Sequence, residues 1–73
     1  MAKHYVTLGQ GHVHSVAGKT LDKDTVAVFE ADSREQGRKL AFEIFGDKFC
    51  FDYHADEWNP DNLIYFPKGY VEI

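Results

Sequence analysis

Residues 25–31, TVAVFEA, and residues 33–46, SREQGRKLAFEIFG, decide the fold, because the first reads as a strand and the second as a helix. β-Branched and small apolar residues fill the first run, as in a central strand covered on at least part of both faces. Ser33 followed by Gln36 makes a capping box, in which the hydroxyl accepts from the third helical amide and the glutamine returns a bond. Glu35 complements the helix dipole, and Gly46 supplies the stop. Between them Gly37, Leu40, Ala41, Ile44 and Phe45 recur at three- and four-residue spacing and draw one apolar stripe, which must lie on a sheet. Gly37 costs ~1 kcal/mol of helix propensity relative to Ala. Its expected compensation is close approach to a strand. Phe42 falls off the stripe and is expected at the sheet edge or in solvent.

Toward the N-terminus, His4–Leu8 and His12–Val16 read as extended segments interrupted by Gly9-Gln10-Gly11. A single strand bent at the glycines is favoured over a tight hairpin, and it is expected to pair antiparallel with residues 25–31. Ala17 to Asp24, rich in turn formers and charge, reads as an exposed loop. Toward the C-terminus, Phe49, Phe51 and Tyr53 alternate with Cys50, Asp52 and His54, the period of a half-buried strand whose aromatic side faces the helix. Leu63–Phe66 and Tyr70–Ile73 read as a terminal hairpin closed by Pro67-Lys68-Gly69. One α+β domain over residues 1–73 is the expectation, in β-β-α-β-β-β order, with an antiparallel sheet of four to five strands and one helix packed on one face. The other face, bearing either Val26 and Val28 or Ala27 and Phe29, is then left to water, to a target or to a second copy.

A chain of 73 residues has a single core, in a size range where only ~60% of the unfolded surface becomes buried. Six Phe, four Tyr and one Trp must supply much of it. The lone Cys50 excludes an internal disulfide and fits a reducing compartment. No apolar run approaches the ~20 residues that span a bilayer, and the first residues lack the apolar stretch of a signal peptide. Cytoplasm, with no membrane partner, is the expected location. Charge is uneven: residues 1–40 hold six basic and five acidic side chains, residues 41–73 two and seven. Phe49 to Pro67 carries no Lys or Arg, yet sets Asp52, Asp56, Glu57 and Asp61 around Tyr53, His54 and Trp58.

No reaction motif stands out. His12 and His14 are two apart, so on a strand both rings leave one face and can share a metal, with His4, His54 or Asp52 as a third ligand. Ser15 and His14 point to opposite faces and cannot act as nucleophile and base. Cys50 and His54 share a face but lie ~13 Å apart by strand rise, too far for direct activation. The spacing of Asp56, Glu57 and Asp61 is not that of a calcium loop. Gly9-Gln10-Gly11 lies between extended segments rather than opening a helix, and Val13 stands where Gly18-Lys19-Thr20 would need an upstream glycine to complete a phosphate loop. No cofactor is expected, and the chain reads as non-catalytic.

A sheet that stacks bases needs interleaved Lys or Arg for phosphates, and the aromatic C-terminal half is nearly devoid of them, so direct nucleic-acid binding is not expected. A negative field seeks a basic surface instead. Asp52, Tyr53, Asp56, Glu57, Trp58 and Asp61 are the candidate partner-binding residues, the carboxylates imitating a phosphate string and Trp58, an aromatic in a polar loop, either folding back on the core or serving as anchor.

The run Val13 to Val28 around GKTLDKD, followed by AFEIFG at 41–46 and Lys48-Phe49-Cys50, resembles a group of short phage and prophage proteins with no assigned activity. The element order is also similar to several small anti-CRISPR proteins, which block nucleic-acid surveillance complexes by direct binding. What the resemblance implies is a phage-type protein that inhibits or adapts a host protein with a basic surface in the host cytoplasm. The alternatives are a metal-binding module on His12 and His14, or a structural phage component, such as a homodimer, assembling through the open sheet face.

Overall fold

The computed structural model describes every residue of the chain except Met1, Gln10, His12 and Ala17. The described elements, in order, are β1 (Ala2–Leu8), β2 (His14–Val16), β3 (Lys19–Leu21), β4 (Thr25–Ala31), α1 (Arg34–Phe45), β5 (Phe49–His54), a 3-10 helix (Pro60–Tyr65) and β6 (Gly69–Glu72). The main sheet has the order β5-β1-β4-β6, and β2 and β3 form a separate ribbon. The fold is α+β.

The centre of the sheet is the expected one: β1 and β4 pair antiparallel from Ala2↔Ala31 to Thr7↔Val26. α1 begins and ends at the signals in its sequence. Ser33 Oγ accepts from the Gln36 N–H at 3.1 Å, while Gln36 Oε1 reaches back one residue further than a capping box requires, to the Asp32 N–H. Gly46, at φ 65°, closes the last turn by donating its N–H to the Phe42 carbonyl. Gly37, Ala41 and Phe45 are the buried stripe. Ala41 and Phe45 pack with Val6, Leu8, Leu21, Ala27 and Phe29 in the core beneath the helix, flanked by Leu40 and Ile44.

Several expectations change at the periphery. The first strand stops at Leu8, and His14–Val16 pairs with Lys19–Leu21 instead of continuing it. Gly18, at φ 78°, permits the reversal between them, and the fully buried Leu21 ties the ribbon to the core. The sheet is mixed rather than antiparallel, because β6 runs parallel to β4. Residues 63–66 do not form the first strand of a hairpin. Asn59 caps a 3-10 helix there, its side chain accepting from the Asp61 N–H at 3.0 Å with Pro60 in the first position. The chain thus leaves β5 at one edge of the sheet and enters β6 at the other, travelling in the direction of β4.

That crossing covers the second face. Val26 and Val28 lie there, with Trp58, Tyr5, Tyr53, Leu63 and Phe66 packed over them. The face opposite the helix is therefore not bare. A register shift also divides the aromatic strand, since Leu8 pairs with Phe49 and Thr7 with Phe51, leaving Cys50 as an extra residue. Phe49 stays beneath α1, but Phe51 and Tyr53 belong to the far side, against the expectation that all three rings meet the helix.

Candidate functional site

His54 is the pivot from which the far face is built. Its carbonyl accepts from the Glu57 N–H at 2.8 Å and the Trp58 N–H at 3.2 Å, and its own N–H donates to Glu57 Oε1 at 2.9 Å. This turn folds the chain back so that the Trp58 indole stacks on Tyr5, centroids 5.1 Å apart and planes within 15°. Trp58 Nε1 donates to the Tyr70 hydroxyl at 2.9 Å, which satisfies its one polar group. Trp58 is only 8% exposed. Of the two alternatives for an aromatic in a polar loop it takes the fold-back, a structural plug over Val26 and Val28 and not an exposed anchor, because its large apolar area gains more against the sheet than in water.

Beside the indole opens a cleft of about 280 Å³, with Phe51, Tyr53 and Thr7 of the sheet and Asn62, Tyr65 and Phe66 of the 3-10 segment in its walls. Phe51 is 60% exposed, Tyr65 69% and the neighbouring Ile64 78%. Such a slot has the size and the partly apolar lining to accommodate an apolar side chain, with Asn62 among its polar wall residues. A second recess of about 310 Å³, at the end of β1, β4 and β6, is more polar, and Lys3 and Glu72 in its lining are tied to each other at 2.7 Å. The aromatic cleft is the better binding candidate because apolar groups there are already exposed to water.

The carboxylates divide between two settings. Asp52 points beneath α1, its side chain only 5% exposed, where Oδ2 meets His4 Nε2 at 2.9 Å and Oδ1 accepts from Arg38 at 3.2 Å. Glu57 takes the Arg34 Nε–H at 2.9 Å. The Glu57 carboxyl is held below its ordinary range, first by the His54 backbone N–H and then by Arg34. Asp52 is an internal tie and not part of an outward acidic surface, whereas Glu57 stays exposed with its charge paired to Arg34. Asp56 and Asp61 are exposed, and among the described residues neither forms a salt bridge. Of the six candidate partner-binding residues, Tyr53 lines the cleft, Trp58 lines it from a buried position, Asp56 and Asp61 remain at the surface, and Asp52 and Glu57 turn to the other side.

His4 explains Gly37. The ring is fully buried, and a Cβ placed on Gly37 would overlap it, so the helix comes as close to β1 as only glycine allows. Burial pushes the His4 imidazole below its ordinary value, with Asp52 acting in the opposite direction. Its Nδ1 lies 3.2 Å from His54 Nδ1. With Asp52 ionised, His4 Nε2 donates to it, and the neutral ring then accepts the His54 Nδ1–H.

The metal expectation separates. His12 lies outside the described residues, and the half-buried His14 ring packs at 5.2 Å on Phe45. His4 packs on Gly37, ~12 Å away along the helix by its rise per residue. Among the described residues no three His, Cys, Asp or Glu side chains gather as metal ligands. Sequence reasoning missed Phe51, Tyr65 and Phe66, which line the cleft, and His4, which carries the polar cluster. Glycine inside a helix signalled a close neighbour at Gly37 but not which one; nothing marks the extra residue at Cys50.

No protein-family model, curated protein or solved structure matches this chain.

Proposed function

We propose that this chain is a non-catalytic binding protein of phage type that inhibits or adapts a host protein with a basic surface, docking through the aromatic cleft. The observation that carries the reading is that Phe51 and Tyr65, both largely exposed, line a partly apolar slot. An apolar patch of this kind on a chain this small marks an interface. Charge supports a basic partner: the chain carries a net −4, and Asp61 adjoins the wall residue Asn62 without an ion-pair partner among the described residues. The occupant is a lysine- or arginine-flanked aromatic or branched aliphatic side chain.

Trp58, the one tryptophan, reports occupancy directly. Lysine-rich peptides bearing a single Phe or Leu are titrated against its emission at several salt concentrations. Saturable, salt-sensitive binding is expected, weakened ~10-fold or more, about 1.4 kcal/mol, by Phe51→Thr. Equal binding by that variant, or equal binding of a glutamate-rich peptide, removes the proposal.

A further inference from the structure

We infer that acid loosens the aromatic cleft through the His4–His54 pair, a regulation of the docking site that rests on the reading above. The two Nδ1 atoms are 3.2 Å apart, room for one proton between them. A second proton there sets N–H against N–H. His4 cannot shed the conflict into water, since it is fully buried, and it cannot recoil toward α1, where the Gly37 backbone leaves no space even for a methyl group.

The surrounding charges come from every side. From β5 and its turn, Asp52 and Glu57 face the pair; from α1, Arg38 holds Asp52 and Arg34 holds Glu57; from β4, the Phe29 ring stands 5.4 Å from His4. Asp52 favours a charged His4, but Arg38 already shares its carboxylate. The ring free to yield is His54, which is only half-buried. His54 does not move alone, because its carbonyl accepts from Glu57 and Trp58 and its N–H donates to Glu57. Parting the rings therefore pulls on the turn that seats Trp58, whose indole lines the cleft. The burial that depresses His4 sets this event below its ordinary 6.5.

The test uses the intact chain without any peptide, following Trp58 emission and the far-UV helix signal from about pH 8 to about pH 5. Expected is a shift of emission to longer wavelength, with its midpoint below 6.5, while the helix signal is retained. His54→Gln abolishes the shift and His14→Gln leaves it. A flat emission profile, a shift that survives His54→Gln, or one that coincides with loss of helix signal overturns the inference. Should His54→Gln fail to fold, proton NMR of the wild type decides: the Trp58 indole N–H and the His4 ring must titrate with one midpoint, and separate midpoints sink the idea. Failure of the docking reading would appear separately, as absent peptide binding at about pH 8.

Discussion

Gly37 and His4 set how closely the helix approaches β1. Gly37→Ala would improve helix propensity by ~1 kcal/mol, but the new methyl overlaps an imidazole held by Asp52 and His54. Overpacking of a locked site costs ~1–3 kcal/mol, toward the upper end here, so a net loss of stability is expected in urea denaturation; a stabilised variant would show that the ring is not seated there. The same histidine gives a pH dependence whose direction follows from its depressed value. Below the unfolded value of 6.5, the unfolded chain takes up a proton that the folded one resists. Stability is full above that point and falls as the pH drops toward the folded value, a decline that denaturant midpoints measured across this range will register. A further loss follows below 4.5, where Glu57 and Glu72, both held low by their hydrogen-bond partners, become protonated.

At the level of elements, α1 was legible because its instructions are local. Ser33, Gln36 and Gly46 act within a turn or two of where they stand. β5 was legible as a strand but not in its facing, since one inserted residue at Cys50 reverses every side chain beyond it, and an insertion of that kind leaves no compositional mark. The segment after it misleads for the opposite reason: Leu63 to Phe66 has strand-like composition, yet Asn59 and Pro60 start a 3-10 helix and the sheet face below takes up Leu63 and Phe66. Trp58→Ala is expected to cost ~3–5 kcal/mol, a large share of the ~5–15 kcal/mol that holds a domain together. Its unfolding midpoint will therefore collapse, whereas Phe51→Thr, at an exposed position, should stay within ~0.5 kcal/mol of wild type. This contrast separates plug from rim.

Across the whole molecule, one helix and one crossing segment sandwich a four-stranded sheet, and no described helix is long and apolar enough to cross a membrane. The exposed rim also bears on self-association. With a net charge of −4 on each copy, like-charge repulsion works against pairing, and sedimentation should find a monomer at micromolar concentration; a dimer that Phe51→Thr dissolves would reassign the face to assembly. The amino-acid order by itself determined the α+β class, the capped helix with its stripe, the β1–β4 pairing and the acidic, aromatic character of the C-terminal half, because each arises from neighbours in the chain or from composition. Only the tertiary structure decided that β6 lies parallel, that Trp58 is buried, that Asp52 and Glu57 turn to the helix side, and that His4 meets Asp52 and His54 from 48 and 50 residues away. Those outcomes depend on which groups share one confined space and must find partners there, a condition that exists only once the chain has closed on itself.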